Sequence, residues 1–199
     1  MNAERTATTH DRGSNRMTNE PATDGPGSDP SAPQGSGPGA RTAEALADVG
    51  ARFDHVAVAG PSLQPMLEFY RDTLGGTFRY GEILPIGCVV ATFSVGDGKL
   101  ELMAPTPGST FLDAFFTGTG GRGGLQHVTF AVDDIDAAVA VLDAHGIEHF
   151  GLVHDPAGLW SEVFVHPRSN GGVLVQLAQM GDFSGVVSKD LTTLLAAAL

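Results

Sequence analysis

Four polar residues, His55, Glu101, His127 and Gln176, each interrupt a short apolar stretch whose residues alternate as in a β-strand. Because successive side chains of a strand point to opposite faces, each of the four faces away from its aliphatic neighbours. Imidazole nitrogens and carboxylate oxygens bind borderline divalent metals, and an amide oxygen is a weaker, neutral ligand. If the four side chains meet, the sequence predicts a site for one divalent ion (Co, Ni, Zn, Mn or Fe).

An internal duplication gives a reason for them to meet. His127 lies 72 residues after His55, and Gly146 lies 71 residues after Gly75, so a strand and the following helix keep their register in two halves of the chain. A pseudo-twofold axis between the halves would bring the histidine pair and the Glu/Gln pair together. Taken singly, each histidine is more simply a core residue and the glutamate a solvated strand residue. Four symmetry-matched positions favour the metal site.

The predicted fold class is α+β. Each half shows the order β-α-β-β-β, at about residues 52–105 and 124–180, and each has too little core to stand alone, so the two modules should pair into one domain, residues 52–180. Residues 109–124 predict a linker with a short helix. Residues 181–199 predict a C-terminal tail with a short helix, which could dock on the domain or on a second subunit.

The first 41 residues differ in composition from the rest of the chain. They contain no Leu, Ile, Val, Phe, Trp or Tyr, and Pro, Gly and Ser dominate from Pro21 to Ala40. Such a segment buries too little apolar surface to offset the entropy lost on ordering, so residues 1–41 predict a disordered tail. The segment has no apolar core of a secretory signal, and no run in the chain has the length of a membrane span. We therefore expect a soluble, cytoplasmic protein with no membrane partner.

The charge balance excludes one class of partner. The chain has 11 Lys and Arg against 23 Asp and Glu, a formal net charge of −12. Such an acidic chain offers no electrostatic footprint for nucleic acid or for an anionic membrane surface. It also has few Lys and Arg side chains that could bind a polyphosphate ligand, and Arg122 and Arg168 are the obvious phosphate partners. Cys88 is the single cysteine, which excludes an internal disulfide.

Residues from about Phe53 to Gln179 resemble the vicinal oxygen chelate superfamily, which includes glyoxalase I, extradiol dioxygenases, fosfomycin and bleomycin resistance proteins and methylmalonyl-CoA epimerase. The segments that look most like the epimerase branch are FDHVAVAGPSLQPMLEFYRDTLGG, LELMAP, GRGGLQHVTFAVDDIDAA and FVHPRSNGGVLVQL. The resemblance implies a cupped mixed sheet of paired βαβββ modules around a divalent metal. Its metal ligands fall on His55, Glu101, His127 and Gln176. It also implies a homodimer that binds a small-molecule substrate.

The resemblance raises a question about the proton-transferring groups. In the epimerase and glyoxalase branches, a glutamate at the position of Gln176 also serves as the base, and an amide cannot accept that proton at neutral pH. The second epimerase base would fall near Ala91, where the sequence has no acid. Glu101 is then both a metal ligand and the candidate catalytic base. Candidate helpers outside the ligand set are Glu82, His154 and Glu162.

Three functions fit these residues. The first is a metal-dependent isomerase, epimerase or lyase that enolises a small carbonyl or hydroxycarbonyl substrate chelated to the metal. The second is a non-haem Fe(II) oxygenase, because two histidines and Glu101 have the composition of a facial triad. The third is a metal-free protein that binds a small molecule or drug. Relatives of that type have generally lost the ligand residues, so the third ranks last.

Overall fold

The computed structural model describes residues 45–198, and the expected tail at residues 1–41 lies outside the described residues. After a short 3-10 helix at Leu46–Val49, the first module comprises β1 (Arg52–Ala59), α1 (Leu63–Leu67), a π-helical continuation (Glu68–Thr73), β2 (Thr77–Leu84), β3 (Cys88–Val95) and β4 (Gly98–Pro105). Helix α2 (Asp113–Gly118) connects it to the second module, which comprises β5 (Gly124–Ala131), α3 (Ile135–Ala144), β6 (His149–His154), β7 (Trp160–Val165) and β8 (Val175–Met180). A last helix, α4, spans Leu191–Ala197.

All eight strands form one mixed sheet in the order β2-β3-β4-β1-β5-β8-β7-β6. The central strands β1 and β5 are antiparallel, and each has the last strand of its own module as its parallel outer neighbour. The order is therefore the same when read outward from the centre on either side. This arrangement confirms the predicted α+β fold of two paired βαβββ modules in a cupped sheet.

The strand register places the four predicted ligands at equivalent positions of the four central strands. His55 of β1 lies opposite Thr129 of β5 in the antiparallel pair. In the parallel pairs, Glu101 lies beside Ala57, and Gln176 lies beside Thr129. Ala57 and Thr129 each follow their module's histidine by two residues, so the two modules use the same register. This register keeps all four side chains at one level of the sheet.

The outer face of the sheet is covered by helices. Helices α1 and α4 pack on the first module, in a core that includes Leu63, Ala91, Phe93 and Leu194. Helix α3 packs on the second module, in a separate core. Ala91, near which the family resemblance places a second base, therefore lies in the apolar outer core and not on the inner face.

The helix expected between residues 181 and 199 is α4, and it docks on the domain. Leu194 is fully buried in the first module's core, and the segment before α4 is fixed by the backbone of Gly81 in β2. Gly81 N–H donates to the Ser188 hydroxyl at 2.9 Å, and Lys189 N–H donates to the Gly81 carbonyl at 2.8 Å. Within residues 45–198, none of the helices is long and apolar enough to span a membrane.

The inner face of the first module carries an apolar patch, which we call the inner-face cluster. It consists of Ala57, Ala59, Cys88, Val90, Met103 and Leu112, with Phe115 and Phe116 of α2 packed against it. Burial, together with the nearby charge of Glu101, raises the pKa of the Cys88 thiol to about 12. The cluster makes this part of the inner face apolar, and Cys88 within it is a buried apolar residue, not a reactive thiol.

Candidate metal centre

Three of the four predicted ligands converge on the inner face of the sheet. His55, Glu101 and His127 each offer one ligand atom, and these atoms all lie within 4.8 Å of one another. Both histidines are 4% exposed, whereas Glu101 is only half-buried. A single ion could therefore contact two imidazoles and one carboxylate.

Each histidine is oriented by the side chain of the residue before it. Asp54 Oδ1 lies 2.6 Å from His55 Nδ1, and Gln126 Oε1 contacts His127 Nδ1. An acceptor at Nδ1 keeps the proton on that nitrogen, so the lone pair is on Nε2. Among the described residues, the buried Nε2 of His127 has no hydrogen-bond partner. An orphaned, deprotonated and buried nitrogen beside two other donors is the environment that a divalent ion requires.

The local electrostatics also suit an ion at this place. Burial and, to a smaller extent, the positive form of His55 lower the pKa of His127 to about 4, although a hydrogen bond with Gln176 partly offsets them. Burial raises the pKa of Glu101; His55 opposes this change, and the negative charge of Glu162 adds to it. His127 is therefore neutral near pH 7, as a ligand must be, and a bound cation would add to the partial charge compensation that His55 and Lys99 give Glu101.

Gln176 is buried and held at both ends of its amide. Its Oε1 accepts a hydrogen bond of 2.7 Å from the Thr129 hydroxyl, and its Nε2 donates one of 2.6 Å to Glu162 Oε2. The Thr129 oxygen also lies 3.1 Å from His55 Nε2. Thr129 of the second module thus contacts His55 of the first, which the sequence did not reveal. Coordination of an ion by Gln176 stays a prediction.

The three candidate residues expected to assist the ligand set lie in different parts of the structure. Glu162 bonds to Gln176 and belongs to the centre. Glu82 accepts a hydrogen bond of 2.9 Å from the Tyr80 hydroxyl in the outermost strand of the first module. His154 is exposed, and its Nε2 lies 3.4 Å from Asp136 of α3, on the other side of the sheet. His154 is therefore not part of the centre.

The two arginines also lie in different places. Arg168 is exposed and its Nε lies 3.3 Å from Glu148 Oε2, next to the outermost strands of the second module. Arg122 lines a cavity of about 420 Å³ at the end of β1, together with Phe69 and Tyr70. Arg122 is therefore placed at the rim of a cavity, and Arg168 is engaged with an acid.

Asp54 allows a test of how strongly a side chain that orients a ligand affects the metal affinity of the centre. Its Oδ1 contacts both His55 Nδ1 and, at 2.5 Å, Lys99 Nζ. We expect Asp54→Ala to weaken metal binding by about 10–100-fold, because the ring of His55 loses the acceptor that orients it and raises its basicity. Competition with a chromogenic chelator measures this affinity directly. The exposed Asp72→Ala variant is the matched control, and equal affinities in the two variants would contradict the expectation.

Comparisons with known proteins show which family and fold this chain is similar to. A family model described as the glyoxalase/bleomycin resistance protein/dioxygenase superfamily matches residues 54–164. Mitochondrial methylmalonyl-CoA epimerase of Mus musculus is 36% identical over 135 residues, which cover 64% of this chain and 72% of the relative. An ethylmalonyl-CoA/methylmalonyl-CoA epimerase of Cereibacter sphaeroides is 32% identical over 132 residues, 65% of this chain and 98% of the relative. The crystal structure of methylmalonyl-CoA epimerase from Mycobacterium tuberculosis superposes with a TM-score of 0.58 at 28% identity, covering 68% of this chain and 91% of that one.

Proposed function

We infer that this chain, which belongs to the glyoxalase/bleomycin resistance protein/dioxygenase superfamily, acts as a metal-dependent epimerase. The reaction would invert the carbon next to the carbonyl of a small acyl-CoA. The observation that carries the proposal is the convergence of His55, Glu101 and His127 within 4.8 Å on the inner face of the cup. Relatives named for methylmalonyl-CoA and ethylmalonyl-CoA support a 2-alkylmalonyl thioester as the substrate class.

The donor set suits an ion that assists proton removal. His55, Glu101 and His127 would hold it, with Gln176 as a neutral fourth ligand. When bound, the ion supplies Lewis-acid stabilisation of the negative oxygen that forms as the neighbouring carbon loses its proton. A set with one carboxylate leaves a net positive charge at a divalent ion, which favours that anion. Glu101, whose pKa burial raises, is the residue of this set that could also carry a proton.

The proposal extends to the partners and the compartment. The substrate would be a small-molecule thioester, the family resemblance supports a homodimer, and the composition of the sequence supports a cytoplasmic location. The mouse relative is named mitochondrial, so the compartment of this chain stays a prediction. Sedimentation equilibrium would show the dimer as a species of about twice the chain mass of 20.5 kDa.

The proposed activity can be measured with methylmalonyl-CoA in heavy water. Protein loaded with Co(II), Ni(II), Zn(II), Mn(II) or Fe(II) is expected to replace the α-proton by deuterium and to interconvert the two epimers. Chelator should abolish both signals, and adding the ion back should restore them. Proton NMR and chiral analysis of the product acid follow the two signals. Absence of exchange with every ion would contradict the proposal, and Fe(II)-dependent oxygen consumption with catechols would support the oxygenase alternative.

A further inference from the structure

The inner faces of the two modules, which form the two walls of the cupped sheet, differ chemically. On the first module, the inner-face cluster, with α2 packed against it, forms an apolar patch. Over the second module, Val163 and Val165 of β7 point into the core beneath α3, so Glu162 and Phe164 point to the inner face. The ring of Phe164 confirms this direction, because it meets the ring of His127 edge to face at 6.1 Å. The second wall therefore carries a carboxylate, Glu162, outside the predicted ligand set.

Pseudo-symmetry identifies Glu162 as a feature of one module only. Glu162 of β7 lies opposite the residue that follows Gln176 by two positions in β8. Val90 of β3 lies opposite the residue that follows Glu101 by two positions in β4. The two positions are equivalent, so the first module has a buried valine where the second has a carboxylate. A partly buried carboxylate at this position requires an explanation that core packing does not give.

Glu162 is half-buried and rigidly held. Its Oε2 accepts hydrogen bonds from Gln176 Nε2 at 2.6 Å and from Trp160 Nε1 at 2.7 Å. Both bonds end on Oε2, and Oε1 takes part in neither of them. The carboxylate is also close enough to Glu101 for its negative charge to act on that residue. The amide of Gln176 cannot take a proton at neutral pH, but it donates a hydrogen bond to Glu162, whose carboxylate can take one.

The geometry points to Glu162 as the proton-transferring residue on the face of the substrate carbon opposite Glu101, an inference that rests on the proposed epimerase function. Glu101 lies on β4 and Glu162 on β7, on opposite sides of the central pair β1 and β5. A substrate held between them at the metal centre would present one face of its α-carbon to each carboxyl group. A reaction that inverts a carbon centre needs a proton acceptor on one face and a donor on the other.

The proton balance closes with these two residues. In one direction, the Glu162 carboxylate takes the α-hydrogen as a proton. The electron pair of the broken C–H bond forms the C=C bond of an enolate, and the carbonyl π pair moves to the oxygen. The Glu101 carboxyl, protonated and therefore not coordinating the ion at that moment, then donates a proton to the opposite face, and the carbonyl forms again. The reverse reaction exchanges the two roles, and both carboxyl groups regain their starting state by exchange with solvent.

The Glu162→Gln variant tests the assignment. The new amide can still accept the bonds from Trp160 and Gln176 through its oxygen, but it cannot take a proton at neutral pH. In heavy water, wild type should exchange the α-proton of both methylmalonyl-CoA epimers. The variant should epimerise about 10²–10⁴-fold more slowly, yet still exchange the α-proton of one epimer, whose C–H bond faces Glu101.

Exchange with only one epimer separates proton transfer from a structural role, because a distorted centre would slow exchange with both. Metal content should be unchanged, and Glu162→Asp should recover part of the rate. The exposed Glu68→Gln variant, a matched loss of one carboxylate, should equal wild type. Epimerisation by Glu162→Gln at the wild-type rate, or equal slowing of exchange with both epimers, would overturn the assignment. A wild-type protein that exchanges neither epimer would instead show that the proposed function fails.

Discussion

Replacing His127 with alanine is expected to remove the bound metal and with it the α-proton exchange. Wild type should hold about one divalent ion per chain. His127 Nε2 is buried, carries no proton and has no partner among the described residues, so it is poised for coordination. Without the His127 nitrogen, His55 and Glu101 remain as strong metal ligands. The loss of metal affinity should therefore exceed the roughly 10–100-fold expected when a residue that only orients a ligand, such as Asp54, is removed.

Elemental mass spectrometry measures this loss directly, on protein purified without an affinity metal column. His149→Ala is the matched control, because His149 lies at the start of β6 and its Nε2 is 3.3 Å from Asp143 of α3. The control should keep the wild-type metal content and activity. Equal metal in His127→Ala and wild type would show that the ion binds elsewhere. No ion in either protein would favour the metal-free binding protein.

Metal-free protein should lose stability in acid because of the same histidine. Burial lowers the pKa of His127 to about 4 in the folded chain, against 6.5 for an unperturbed histidine. Between these two values the unfolded chain binds more protons than the folded one, so the free energy of unfolding falls as the pH is lowered. The contribution is fully present above pH 6.5 and is lost as the pH falls towards 4. The shift corresponds to about 3 kcal/mol.

Urea denaturation in the presence of chelator, at a series of pH values from 7 to 4, checks this expectation. The quantity to compare is the difference in free energy of unfolding between wild type and His127→Asn, since other titrating groups largely cancel in it. That difference should fall by about 3 kcal/mol over the range. Thr110→Asn, which neither adds nor removes a titrating group at an exposed position, should show a nearly constant difference from wild type. A constant difference for His127→Asn would contradict the expected shift.

Local sequence patterns were sufficient to predict the fold. Strand alternation around His55 and His127, and the constant spacing between the two halves, predicted two βαβββ modules. Both signals are local, since the period of a strand sets the face of each side chain and a duplication repeats that setting. The pairing of the modules about β1 and β5 then brought His55, Glu101 and His127 to one face. These residues could be named in advance because symmetry supplied the missing long-range information.

The surroundings of the centre could not be predicted in this way. The sequence proposed Glu82, His154 and Glu162 as equal helpers, and the structure places only Glu162 against Gln176. The structure also shows that Thr129 contacts His55 and that Ala91 lies in the outer core.

The physical reason is that a strand's period fixes which face a side chain takes but not which neighbouring strand supplies its partner. Hydrogen bonds such as those of Glu162 to Trp160 and Gln176 depend on register and twist across strands. Register and twist are settled by the packing of the whole sheet against its helices. The sequence therefore determined the modules and the ligand types, and the tertiary structure decided which acid lies beside the centre.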